Sequence, residues 1–139
     1  MKINKSLLIS LISFKILLMI GCGTNEKEEV GNEMNIKITA ITAMEAFKIM
    51  ESGEEFILLD VRSSEEYREK HIAGAILIPD NEIANRAEKE LPDKNAKILV
   101  YCRSGKRSEA AANKLAEMGY LNVLNFGGIN DWPYGTVGE

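Results

Sequence analysis

Two near-continuous apolar runs, Phe56-Ile57-Leu58-Leu59-Asp60-Val61 and Ile98-Leu99-Val100-Tyr101, constrain this chain more than any other feature. Strands that read as unbroken rather than alternating are buried on both faces, and such strands belong to parallel sheets covered by helices. The surrounding sequence keeps that pattern. Ile36-Lys37-Ile38 opens it, Thr42 with Glu45 forms a capping box that starts a helix to about Met50, and Ser63 with Glu66 forms a second box and a short helix toward Lys70. Ala75 to Ile78 reads as a third strand stopped by Pro79, and Glu82 to Leu91 as a helix ended by Pro92. Ser108 to Met118 is the longest helix, closed by Gly119. Asn122 to Phe126 is a fifth strand, after which Gly127-Gly128 turns the chain into a helical piece around Asn130 to Trp132. Strand and helix alternation predicts one α/β domain with a largely parallel five-stranded sheet flanked by helices. A length of 139 residues suffices for one such core.

The beginning of the chain is of another kind. Lys2 and Lys5 precede an apolar stretch from Leu7 to Ile20, then Gly21-Cys22, so residues 1–21 read as an export signal. The stretch is 14 residues long, short of the roughly 20 a spanning helix needs, although an uncleaved membrane segment remains the alternative. Leu18-Met19-Ile20-Gly21-Cys22 resembles a bacterial lipoprotein signal, which implies cleavage before Cys22 and lipidation of that residue; Met19 and Lys15 depart from the pattern. Residues 22–35 are polar and acidic, too poor in large apolar side chains to build a core, and read as a flexible tether. The folded domain would span 36–139 and sit on the extracytoplasmic side of the cell envelope, held to a membrane by lipid.

Charge and cysteine content narrow the chemistry. Seventeen basic and twenty-one acidic residues give a net charge of −4; the first 21 residues hold three lysines and no acids, so 22–139 carry −7. That balance does not favour nucleic acid. Of two cysteines, lipid would occupy Cys22 and leave Cys102 alone, unless an unlipidated form pairs the two in a disulfide. Two cysteines and one histidine do not make a structural zinc site, and no metal or cofactor is expected. Cys102 closes an apolar strand and opens Cys102-Arg103-Ser104-Gly105-Lys106-Arg107-Ser108, where three cations and a following helix N-terminus would lower its pKa and make it a thiolate nucleophile. Sites in such sheets form beyond the C-terminal strand ends, where Cys102 lies.

Asp60-Val61-Arg62, Glu66-Tyr67, His71-Ile72-Ala73-Gly74-Ala75 with Ile78-Pro79, the Cys102 to Ser108 loop, and Gly127-Gly128 with Trp132 resemble, in order and spacing, the rhodanese homology domain over roughly Ile36 to Pro133. The resemblance implies a three-layer rhodanese-like fold and a sulfurtransferase whose catalytic cysteine falls on Cys102. It would accept sulfane sulfur from a donor such as thiosulfate, a small sulfur-containing anion, and pass it to cyanide or a thiol. Arg103, Lys106 and Arg107 would attract the donor, with Arg107 clamping it through its planar fork. Backbone N–H groups curled around the sulfur, with Gly105 free to take positive φ, would stabilise a persulfide, and Ser104 and Ser108 could add hydroxyl donors. Ser108 could equally be only the helix cap.

Asp60 and Arg62 are expected to support the loop and the following helix rather than react. His71 and Glu66 are expected to serve as local hydrogen-bond and ion-pair partners, Trp132 to pack, and Lys89, Lys94 and Lys97 to form a solvated face. Two other functions are weighed against this loop; some relatives of the fold use a cysteine-plus-arginine loop on tetrahedral oxyanions. A phosphatase or arsenate reductase would need five residues between cysteine and arginine, whereas four separate Cys102 from Arg107. A membrane-tethered persulfide carrier or thiol redox sensor acting on a partner protein would keep the loop unchanged.

Overall fold

The computed structural model describes residues 37–139. The signal segment, Cys22 and the tether lie outside the described residues. Five strands form one sheet, β1 (Lys37–Ala40), β2 (Ile57–Asp60), β3 (Ile76–Leu77), β4 (Ile98–Cys102) and β5 (Asn122–Gly128), in the order β1-β5-β4-β2-β3 with every pair parallel. Four helices connect them, α1 (Ala43–Glu51), α2 (Ser64–Glu69), α3 (Ile83–Glu90) and α4 (Lys106–Glu117). The expected α/β architecture is the observed one.

The central strand explains the layering. All five residues of β4 are buried, and their period of two sends Ile98, Val100 and Cys102 into one core with residues of α3 and α4, while Leu99 and Tyr101 enter a second core with α1. Strand β2 divides likewise, Leu59 joining the first core and Leu58 the second. The cysteine side chain therefore faces the helix that follows it.

Both capping boxes form. Thr42 N–H donates to Glu45 Oε2 at 2.7 Å and Glu45 N–H to Thr42 Oγ1 at 3.2 Å; Ser63 N–H donates to Glu66 Oε2 at 3.0 Å and Glu66 N–H to Ser63 Oγ at 3.3 Å. Several boundaries differ from expectation. Strand β3 is two residues long because it is an edge strand whose register with β2 covers only Leu59–Ile76 and Asp60–Leu77. A 3-10 turn, Asp80–Glu82, follows Pro79 and delays α3 by one residue. Strand β5 continues through Gly127-Gly128, which a bulge between Val100 and Cys102 brings into register with Cys102. Helix α4 begins at Lys106 rather than Ser108, since Gly105 at φ 106° turns the loop directly into it.

The lysine set is not a plain solvated face. Lys94 Nζ lies 4.1 Å from the Tyr120 ring centre, donates to Met118 O at 2.9 Å and pairs with Glu88, so it tethers the C-terminal end of α4. Lys97 pairs with Glu54. Trp132 packs as expected, against Phe47, Phe126 and Tyr134, with its indole N–H donating to Gly135 O at 2.9 Å.

Candidate active site

Cys102 ends β4, and the chain from it to Ser108 forms a tight loop over its sulfur. Only 1% of the cysteine is exposed. Gly105 N–H donates to Sγ at 3.0 Å, a curl that the positive φ of Gly105 permits. Lys106 and Arg107 sit in the first turn of α4, where backbone N–H groups have no partner within the helix. Arg103, Ser104 and Lys106 are exposed at the rim, Gly105 and Arg107 half-buried. Among the described residues Cys102 makes no disulfide.

Burial pushes the Cys102 thiol up, but hydrogen bonds from the Ser108 hydroxyl and from the backbone N–H groups of Ser108, Gly105 and Ser104 outweigh it, and the net displacement is downward. The expectation that three neighbouring cations would do this is corrected: hydrogen bonds to the sulfur are the leading cause. The helix terminus contributes through the Ser108 amide. Ser108 itself is buried inside the first turn and is not the cap, a place taken by Gly105. Its hydroxyl donates to Gly105 O at 2.9 Å and lies 3.1 Å from Gly127 O. Ser108→Ala is expected to slow iodoacetamide alkylation of Cys102 at neutral pH severalfold and to move the pH midpoint of alkylation upward, since a hydrogen bond to the charged form is lost. An unmoved midpoint would show that the hydroxyl does not stabilise the thiolate.

Arg107 is not free to clamp an anion with its whole fork. Its Nη1 and Nη2 donate to the two carboxylate oxygens of Glu66 at 2.7 and 2.8 Å. The Arg107 guanidinium holds the Glu66 carboxyl at about 2, against a smaller opposing effect of burial. Glu66 was expected to act locally beside His71, and instead it also reaches across to the cysteine loop. His71 does stay local, its Nδ1 2.8 Å from Tyr67 O and its ring stacked on that of Tyr67.

Asp60 and Arg62 form a buried pair, 0% and 2% exposed, with Arg62 Nη2 2.6 Å from Asp60 Oδ2 and donating to Lys70 O at 2.7 Å. They pin the connection after α2, and so the helix carrying Glu66, but make no hydrogen bond to the cysteine loop. Sequence reasoning missed Gly128 as a loop support. A Cβ on Gly128 would stand 2.3 Å from Arg103 O and 2.7 Å from Ser104 Cα, so the loop lies directly on this glycine's backbone. Asn130 N–H fastens the same carbonyl, Arg103 O, at 3.2 Å. The Gly-Gly pair was the available signal, since strand glycines mark close backbone approach. Two hollows flank the loop, one lined by Ser104, Gly105, Lys106 and Glu109, the other by Arg62, Glu66, Arg103 and Asn130. Among the described residues no cluster of histidine, cysteine and acidic side chains is placed to hold a metal ion.

Comparison with known proteins agrees with this geometry. Residues 42–133 match the family described as "Rhodanese-like domain". The chain is 45% identical over 73 residues to thiosulfate sulfurtransferase PspE of Escherichia coli (strain K12), covering 52% of this chain and 70% of that one. It is 42% identical over 92 residues to the putative sulfur carrier protein YrkF of Bacillus subtilis (strain 168), covering 65% of this chain and 49% of that longer one. Among solved structures, a "rhodanese with anions from E. coli" superposes with a TM-score of 0.56 at 41% identity, over 60% of this chain and 98% of that one. With a family match over more than half its length, on the sheet order and cysteine loop just described, the chain belongs to the rhodanese family.

Proposed function

We propose that this rhodanese-type enzyme is a sulfurtransferase that carries sulfane sulfur as a persulfide on Cys102. The observation that supports this most strongly is the buried Cys102 sulfur under its tight loop, accepting from Gly105 N–H at 3.0 Å, with hydrogen bonding that displaces the thiol pKa downward, which suits a sulfur that is anionic both before and after transfer. The Cys102 thiolate attacks the outer sulfur of thiosulfate; a new S–S bond forms, the old one breaks, and sulfite leaves with its electron pair. Cyanide or a thiolate acceptor then attacks the terminal sulfur, and the electron pair of the cleaved bond returns to Cys102. No proton need be moved by a general base, consistent with a lone histidine bound elsewhere. Arg103 and Lys106 at the rim attract the donor, and the loop backbone holds the transferred atom.

Full-length protein supplied with thiosulfate and cyanide is expected to release thiocyanate and sulfite in equal amounts. Absence of both would refute the reading. A second reading, a persulfide carrier that delivers sulfur to a protein thiol, is favoured by the similarity to a putative sulfur carrier protein. It would show as stable sulfur loading with slow release to cyanide.

We also propose that Cys22 is lipidated and that the domain is held outside a membrane by the tether 22–35. Cys22→Ser is expected to shift most of the protein from the membrane to the soluble fraction. Retention of the variant in membranes would contradict lipid anchoring.

A further inference from the structure

The loop carries three cations, but they are not equivalent. Among the described residues Arg103 and Lys106 make no ion pair, whereas Arg107 gives two guanidinium N–H groups to Glu66. The two partners are 41 positions apart and belong to different helices, α4 and α2. Glu66 is itself anchored, since the oxygen that accepts from Arg107 Nη1, Oε2, also accepts from Ser63 N–H at 3.0 Å in the capping box. Only 24% of the Glu66 side chain and 33% of the Arg107 side chain are exposed, so water screens the pair incompletely. The charge that a third cation would bring to the sulfur is cancelled locally, and Arg107 is held at the loop's flank.

We propose that Glu66 is a positioning residue that sets the charge selectivity of the sulfur donor: by occupying the fork of Arg107, it lowers the advantage of dianionic donors such as thiosulfate over singly charged sulfane donors. This deepens the sulfurtransferase reading and rests on it for the word donor. The charge relation does not need turnover to be seen. Glu66→Gln keeps an acceptor for Ser63 and for one Arg107 N–H while removing the negative charge, so one uncompensated positive charge is added near Cys102.

The test compares alkylation of Cys102 by iodoacetate, an anion, with alkylation by neutral iodoacetamide, at low ionic strength in the full-length protein, reading the Cys102 peptide by mass. Glu66→Gln is expected to raise the ratio of the two rates by about threefold or more. Adding Arg107→Gln should return the ratio to the wild-type value or below it. In turnover, Glu66→Gln should lower KM for thiosulfate, and for a monoanionic thiosulfonate should lower it by about the square root of that factor, because the electrostatic free energy scales with donor charge. A merely structural role would change both donors alike. An unchanged alkylation ratio, or a rise that survives Arg107→Gln, overturns the proposal. Should Glu66→Gln not fold, as circular dichroism would show, Arg107→Gln alone must lower the ratio, and failure to do so overturns it equally. A wild-type protein that transfers no sulfur would refute the function and leave the alkylation result standing, so the two failures are distinguishable.

Discussion

Gly128→Ala is expected to lower kcat/KM for sulfur transfer about 100-fold or more while leaving the fold intact. The reason is space rather than backbone angle. Gly128 has φ −132°, an extended conformation open to any residue, but an added Cβ would meet Arg103 O at 2.3 Å, Arg103 C at 2.6 Å and Ser104 Cα at 2.7 Å. These are main-chain atoms of the Cys102 loop and cannot swing aside as a side chain can. Either β5 retreats, weakening its register with Cys102, or the loop lifts, moving Gly105 N–H away from the sulfur to which it donates. A displacement of about an ångström at reacting atoms costs on the order of 100-fold in rate, and overpacking adds roughly 1–3 kcal/mol of destabilisation. Gly127 is the control, with φ 87° and nothing within 4 Å of an added Cβ. Gly127→Ala should therefore lose stability through its backbone conformation, by about 1 kcal/mol, with a smaller loss of activity. Thermal melts and steady-state kinetics on both variants decide the matter; a Gly128→Ala enzyme within threefold of wild type would mean that the loop does not rest on β5.

The architecture was legible because its signals are local and agree with one another. Continuous apolar runs marked β2 and β4, two capping boxes marked α1 and α2, and Gly119 marked the end of α4. The place of Cys102, at the end of a buried strand and before a helix, was legible for the same reason. What escaped were contacts between segments remote in sequence. Nothing near Glu66 points to Arg107, and its role as N3 of a capping box explained it sufficiently when read locally. In sequence alone the Arg107 fork therefore looks open to the donor, although Glu66 fills it. Gly127-Gly128 reads as a turn because glycine pairs end strands, and only the bulge opposite Cys102 shows that the second glycine prolongs β5 beneath the loop. Gly105 at positive φ starts α4 two residues before the expected start at Ser108, which takes Ser108 from the cap into a buried position between the Gly105 and Gly127 carbonyls.

Cys102→Ser is expected to abolish transfer completely, because a serine hydroxyl stays protonated near neutral pH and forms no persulfide, while the similar volume leaves the loop folded. The same donors that lower the cysteine's pKa cannot bring an alcohol into the ionised range. The most direct test of the account incubates full-length wild-type and Cys102→Ser protein with thiosulfate alone, follows sulfite release, and measures intact mass before and after adding cyanide. Expected are one added sulfur on the wild-type protein, localised to the Cys102 peptide, one sulfite released per chain, loss of that sulfur with thiocyanate formation on adding cyanide, and none of these in the variant. Sulfur transfer that persists in Cys102→Ser, or thiocyanate produced without any sulfur passing through Cys102, would contradict it.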